Sequence, residues 1–425
     1  MDTIFALSSG QPPAAIGVLR ISGPGAGGAL EALAGGLPEP RYASFRTLRD
    51  GEGALLDQAL VLWFPGPNTA TGEDLAELHL HGGRAVVAGV EAALASFDGL
   101  RRAEPGEFTR RAFANGRIDL AEAEGLADLL SAETEIQRRA ALEMAGGALS
   151  RQVAGWRDRV LTCSARVEAV LDFADEDDVA SLPPEFALEI RELEQEIARA
   201  LAAPHAEILR EGFRVVLAGP PNAGKSTLFN ALVESEAAIT APTAGTTRDV
   251  LIHPVALAGV PFSFIDTAGL RDQHIVDTIE AIGIARAQAE LERADLILWL
   301  GPEGLGPEGA WEVEAQIDLP GHGAKSSPRH RVSAVTGEGL AELKHDLVEV
   351  ARGAMPRPGQ AALNTRQRGL LGDAVAALAG AAEERDPLLL AEQLRLTRLA
   401  FDRLIGRAAT EDMLDALFGR FCIGK

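Results

Sequence analysis

The chain has 425 residues, enough for about three domains of ordinary size. Apolar residues make up 47% and charged residues 24%, which excludes a wholly disordered chain, and no apolar run approaches the ~18 residues of a membrane span. A net charge of -22 argues against a simple nucleic-acid coat protein, because phosphate binding needs a basic surface; contact with nucleic acid would need a local basic patch or a basic partner.

The first ten residues carry no basic n-region, so no signal peptide is expected. Residues 1–118 read as mixed α/β. Short apolar runs at Ile16–Ile21 and Ala59–Phe64 and the alternating Glu77–His81 are strand-like, with alanine-rich helical stretches between them. From Ile118 to about Phe173 Gly and Pro thin out, and Leu149, Val153, Trp156 and Val160 fall at helical spacing. An acidic stretch, Asp175–Asp178, and Pro183-Pro184 precede another helix through about Arg210. From Phe213 the period switches to strands at Phe213–Ala218, Pro261–Ile265 and Ala294–Leu300, alternating with helices, which predicts a parallel sheet. A Pro/Gly linker at Met355–Gly359 leads to a final helical stretch. The fold expected is multidomain α/β. An N-terminal α/β domain spans 1–118, a helical domain is split between 119–210 and 353–425, and a P-loop domain is inserted at 211–352. Two independent helical domains are the alternative. Two cysteines far apart, Cys163 and Cys422, make no disulfide framework and fit a reducing, cytoplasmic location.

The strongest motif is Gly219-Pro-Pro-Asn222-Ala223-Gly224-Lys225-Ser226, which matches G-x-x-x-x-G-K-[ST] between a strand and a helix opening at Thr227. Glycines let backbone N–H groups cradle phosphates. Lys225 reaches the β- and γ-phosphates, and the Ser226 hydroxyl ligates Mg²⁺. Only four of the 40 basic residues are lysines, so a lysine here is informative. Downstream lie Gly245-Thr246-Thr247, Asp266-Thr267-Ala268-Gly269 and Ser333-Ala334. In that order they read as switch, magnesium and γ-phosphate, and base-edge segments of a translation-factor-like GTPase. The usual N-K-x-D is degraded to Ala315-Gln316-Ile317-Asp318. Asp318 still accepts from guanine N1–H and N2–H₂, so guanine preference is expected with affinity weakened by roughly 1–3 kcal/mol of unmade hydrogen bonds.

Further segments give a resemblance across nearly the whole chain. Asp2-Thr-Ile, Leu19–Pro24, Thr71–Asp74, His81–Gly83, Gly106–Thr109, Arg111–Phe113, Asp119–Glu124 and the terminal Phe421-Cys422-Ile-Gly-Lys425 resemble the bacterial tRNA-modification GTPase family MnmE, also called TrmE. The resemblance implies a homodimer whose N-terminal domain binds 5-formyl- or 5,10-methylene-tetrahydrofolate. It implies a G domain that hydrolyses GTP, activated by K⁺-dependent dimerisation, and no membrane association. With the FAD protein MnmG, the family adds a carboxymethylaminomethyl or aminomethyl group to C5 of the wobble uridine of tRNA. By motif position, Asn222 with the loop carrying Ala241, Thr243 and Thr246 would hold K⁺, and Ser226 and Thr247 would hold Mg²⁺. Glu280 would orient attacking water. Arg20, Glu77 and Arg117 would contact folate, the last in place of a common lysine. Cys422 would serve the modification chemistry, and Lys425 would approach the folate. Gln11–Gly17 replaces a Gly-rich segment, Ala70 a usual tyrosine and Ala241 a hydroxyl residue.

Other signals have plainer readings. His79 and His81 alternate on a strand without a third ligand at a sensible spacing, which favours structure over metal. Arg101-Arg102, Arg110-Arg111 and Arg138-Arg139 are short pairs, better read as solvated or ion-paired surface than as tRNA contacts. Two other function classes stay open. One is a GTP-switched RNA or ribosome assembly factor without group transfer; the other is a folate-binding scaffold with a silent G domain.

Overall fold

The computed structural model describes residues 2–172, 182–183, 185–233, 252–266, 288–356, 361–408 and 410–424. The chain divides into two compact units. One comprises Met1–Ala127, Leu149–Arg157 and Arg398–Lys425, the other Asp128–Ala148 and Asp158–Thr397.

The first unit is built on a six-stranded sheet of β1 (Thr3–Leu7), β2 (Ile16–Ser22), β3 (Ser44–Arg49), β4 (Leu55–Phe64), β5 (Leu75–His81) and β6 (Leu100–Arg102). The order is β3-β4-β5-β2-β1-β6, antiparallel except for the β1–β6 pair. Alternation decides the faces. Phe5, Leu19, Ile21, Val61 and Leu78 point to one side, under the helices Ala26–Ala34 and Arg84–Ala95. Ile4 and Ala6 point to the other, where they pack with Ala103 and Phe108 of the helix Glu107–Ala114. Because Ala6 pairs with Arg20 and Arg20 with Glu77, both charged residues share this second, thinly covered face. A smaller core gathers Leu120, Ala123, Leu414, Leu417, Phe418 and Phe421.

In the second unit the helix Phe186–Leu201 buries Phe186, Ile190, Leu193 and Ile197, a single helical stripe. It packs on Thr365–Glu383, whose start is fixed by an Asn364–Gln367 capping box. Ala206 N donates to the Leu363 carbonyl at 3.1 Å, so the chain entering and the chain leaving the α/β segment meet.

That segment holds β7 (Phe213–Ala218), β8 (Ile252–Leu257), β9 (Val260–Asp266), β10 (Leu296–Trp299), β11 (Trp311–Glu314) and β12 (His330–Arg331), in the order β12-β11-β10-β7-β9-β8. All neighbours are parallel except β8 and β9. The strands expected at Phe213–Ala218, Pro261–Ile265 and Ala294–Leu300 are β7, β9 and β10, and they pair in parallel as expected; β8, a strand not foreseen, runs antiparallel because the two-residue Ala258-Gly259 turn leaves room for a hairpin only. Among the described residues no helix is long and apolar enough to cross a membrane.

Candidate functional site

The register of β7 and β9 sets the phosphate end of the first site. Leu217 pairs with Asp266, which brings the last residue of β9 beside the start of the glycine-rich loop. There the Ser226 hydroxyl donates to Asp266 Oδ2 at 2.7 Å. A hydroxyl and a carboxylate side by side are the hard oxygen donors that Mg²⁺ takes. Lys225 is buried, and its ammonium donates to the carbonyls of Gly219 at 3.0 Å and Pro220 at 2.8 Å. Asn222 turns the loop in the left-handed region at φ 63. Gly224 turns it again at φ +86, and a Cβ there would stand 3.1 Å from Gln316 Cγ.

The base end forms where β11 stops. A pocket of about 110 Å³ is lined by Gly224, Thr227, Gln316, Asp318, Leu319 and Ala334, among others. Ser333 Oγ donates to Asp318 Oδ1 at 2.6 Å and accepts from Thr336 N at 3.0 Å. The predicted Asp318 and Ala334 thus line one pocket with Gly224 of the glycine-rich loop, and the predicted Ser333 is hydrogen-bonded to Asp318. Gln316, which the sequence marks as a lost lysine, lays its side chain over Gly224. One group escaped the sequence reading: the fully buried Glu314, hydrogen-bonded to His322 at 2.8 Å and to Arg331 at 3.1 Å. Its only sequence signal is the second glutamate of the short alternating run Trp311–Glu314. Ala241, Thr243, Gly245, Thr246, Thr247, Thr267, Ala268, Gly269 and Glu280 lie outside the described residues.

A second centre lies on the thinly covered sheet face of the other unit. Arg20 donates to Glu77 Oε1 through Nε at 3.1 Å and Nη2 at 2.8 Å, and its guanidinium stands 5.9 Å from the Phe108 ring centroid. His79 Nε2 lies 3.3 Å from Glu77 Oε2. Partial burial pushes the Glu77 carboxyl up, but Arg20 and His79 outweigh it and hold the group below its ordinary value. Arg117 is exposed and packs near Gly72; no hydrogen bond or ion pair joins it to Arg20 or Glu77.

The C-terminal segment returns to this sheet. Ile423 bridges to Pro105, and Ser8 Oγ donates to the Gly424 carbonyl at 2.8 Å. Gly424 has φ +95, and a Cβ on it would meet the Leu7 carbonyl at 2.1 Å, so the close approach requires glycine. Leu7 follows Ala6, the strand partner of Arg20, so the tail docks one residue along from the Arg20 register. Cys422 is exposed, and Lys425 lies outside the described residues.

The arginine pairs are tied to carboxylates. Arg101 meets Asp2 and Glu107, Arg102 meets Glu91, Arg110 meets Glu411 and Asp415, Arg111 meets Asp2 and Glu73, and Arg138 and Arg139 share Glu135. His81 pairs with Asp57. Among the described residues no group of three or more His, Cys, Asp or Glu side chains gathers in a metal-holding arrangement.

A family profile for the MnmE helical domain matches residues 120–422, and one for the N-terminus of the GTP-binding protein TrmE matches residues 3–117. A tRNA modification GTPase MnmE of Novosphingobium aromaticivorans is 66% identical, with 100% of each chain covered. Its counterpart in Erythrobacter litoralis is 64% identical, again over 100% of both chains. The solved G domain of the T. maritima FeoB iron transporter is 28% identical, covering 32% of this chain and 98% of its own, with a TM-score of 0.22.

Proposed function

The chain belongs to the tRNA modification GTPase MnmE family, and on that premise we propose that it hydrolyses GTP in the service of tRNA modification. The observation that carries the first half is the Ser226–Asp266 contact beside the buried Lys225, on the same glycine-rich loop that floors the Asp318 pocket. Lys225 and the loop amides bind the phosphates, and Asp318 reads the base. Mg²⁺, bound through Ser226 with Asp266 behind it and Thr247 completing the set, would neutralise charge on the phosphate oxygens. Asn222, Ala241, Thr243 and Thr246 would hold K⁺, and Glu280 would orient water.

The finer reading is that a tetrahydrofolate, 5-formyl or 5,10-methylene, binds at Arg20 and Glu77, with Arg117 and Lys425 as further contacts. With an FAD-dependent partner, MnmG, the one-carbon unit would pass to C5 of the wobble uridine in place of the C5 proton, joined to ammonium or glycine as the amine, with reduced flavin supplying two electrons where the donor is the 5-formyl form, and Cys422 would take part. Its support is the docking of the tail beside the Arg20 register. A homodimer is supported by an exposed apolar line on the same sheet. Phe45, 63% exposed, pairs with Leu60, 44% exposed, which pairs with His79. The meeting of Ala206 and Leu363 supports a G domain inserted between two helical segments, 119–210 and 353–425. A cytoplasmic location fits a tRNA substrate and free cysteines.

The test has two arms. The full chain with Mg²⁺ should hydrolyse GTP and leave ATP, and Lys225→Ala should abolish turnover; equal turnover of both nucleotides overturns the guanine reading. In the second arm, tRNA incubated with the chain, MnmG carrying FAD, a flavin reductant, GTP, folate and ammonium or glycine is digested and its wobble uridine weighed by mass spectrometry. Cys422→Ala should stop the mass gain with GTP hydrolysis retained. An unmodified uridine with the unaltered chain favours the assembly-factor alternative.

A further inference from the structure

Glu314 closes β11 one residue before the segment that carries Asp318. Its carboxylate is fully buried, and two cations face it. His322 Nε2 lies 2.8 Å from Oε1, and Arg331 Nε lies 3.1 Å from Oε2. The other ring nitrogen of His322, Nδ1, stands 3.0 Å from the Leu319 carbonyl. Both partners of the ring are acceptors. A neutral imidazole has one N–H and can serve only one of them; the imidazolium has two and serves both.

The bridge closes a short, tightly turned loop. Gln316 sits at φ 59, Leu319 N donates to the Gln316 carbonyl at 2.9 Å, and His322 N to the Leu319 carbonyl at 3.3 Å. Gln316, Asp318 and Leu319 all line the base pocket. We propose that His322 is a positioning residue for nucleotide binding: as an imidazolium spanning Glu314 and the Leu319 carbonyl, it holds the loop that presents Asp318 to the base. This rests on the reading of that pocket as the guanine site.

The sign follows from the geometry. The Glu314 hydrogen bond, then the Leu319 carbonyl, raise the His322 pKa above its ordinary value, against desolvation and the Arg331 charge. Burial pushes Glu314 up, but His322 and Arg331 outweigh it and hold it below its ordinary value, so it stays anionic at neutral pH. The clamp is therefore fully formed below the ordinary histidine pKa and lost as pH rises through the raised one.

The experiment titrates fluorescent GDP into the full chain from about pH 6 to about pH 9. The unaltered chain should lose roughly tenfold in affinity over that span, the worth of one lost hydrogen bond. His322→Gln should bind weakly at every pH. His322→Lys, whose ammonium keeps its charge and several donors through this range, should bind tightly throughout. KM for GTP should rise with pH while kcat at saturation stays level, a split that a loss of folded protein does not give. A flat affinity in the unaltered chain, or a pH response surviving in His322→Gln, overturns the proposal. If GDP fails to bind at any pH, the guanine-site reading itself falls, and the proposal with it.

Discussion

Ser333 and Asp318, fifteen positions apart, share a 2.6 Å hydrogen bond in which the buried Ser333 hydroxyl donates to Asp318 Oδ1. The same hydroxyl accepts from Thr336 N at 3.0 Å. One oxygen therefore ties the loop after β11 to the turn after β12, and Asp318 is held in orientation before any base arrives. Preorganisation of this kind lowers the ordering cost of binding.

The first prediction concerns the base. A carboxylate accepts from both N1–H and N2–H₂ of guanine, whereas adenine offers no such pair, so labelled GDP should bind far better than ADP. Asp318→Asn should reverse part of this preference toward xanthine nucleotides, because the new amide can donate to a carbonyl at C2. Restoring Asn and Lys at 315 and 316 should tighten GDP, by up to roughly 1–3 kcal/mol if the missing hydrogen bonds return. Competition titrations measure all three, and equal affinity for GDP and ADP would remove Asp318 from base reading.

The second concerns the junction of the two ends. Gly224→Ala adds a Cβ 3.1 Å from Gln316 Cγ at a backbone φ of +86. The strain is about 1–3 kcal/mol, localised where loop and pocket wall touch. GDP affinity should drop by more than the melting temperature suggests. Pairing the change with Gln316→Ala should recover part of the loss, since the side-chain clash goes and only the φ strain remains. A double variant no better than the single one would show that Gln316 does not press on the loop.

How much of this was legible beforehand differs by feature. The phosphate loop was legible because its chemistry needs a fixed spacing, and β7 was readable because a strand buried on both faces is a continuous apolar run. β1, which sets the Arg20 face, is only five residues long, too short an apolar run for its period to separate strand from helix. β8 carries a proline, which demotes a strand in sequence; the structure tolerates it on the sheet edge. Glu314 was invisible as a site residue because its meaning depends on His322 and Arg331, which turn geometry brings to it. The ion-paired state of the arginines was the plainer reading, and Asp2, Glu107 and Asp415 supply the partners. Gln316 shows the opposite limit: the substitution reads as a loss, yet its side chain occupies space over Gly224.

The third prediction separates the two units. Arg20→Ala should weaken 5-formyl-tetrahydrofolate binding in calorimetry and leave GTP hydrolysis largely unchanged, because the residue lies outside the unit that holds the nucleotide site. It should also alter acid behaviour. The Glu77 carboxyl is held below its ordinary value, so its contribution to stability is present above that ordinary value and is lost as pH falls through the depressed one. Without Arg20 the acid-side loss should begin at higher pH. Unchanged folate affinity would contradict the site assignment, and an unchanged acid limb would mean that Arg20 is not what keeps Glu77 ionised.

The fourth concerns hydrolysis. The residue after Asp266-Thr-Ala-Gly269 is Leu270, so no glutamine stands immediately there to orient water. Another group must orient it, and some cation must offset charge on the β–γ oxygens. Glu280 can do the first, directly or through a second water. A monovalent cation held by Asn222 and the 241–246 loop can do the second, a role that an arginine finger fills elsewhere for roughly 10³ to 10⁵ in rate. Asn222 is exposed and turns the phosphate loop in the left-handed region. Holding both loops closed is what paired G domains would enforce. Hydrolysis should therefore run faster in KCl than in NaCl at equal ionic strength, with the advantage growing with protein concentration. Glu280→Ala should cut kcat steeply and leave GDP affinity almost unchanged, because the carboxylate acts on the transition state. Asn222→Ala should erase the difference between the salts. Equal rates in K⁺ and Na⁺ for the unaltered chain, or a fully active Glu280→Ala, would place the charge compensation and the water orientation on other groups.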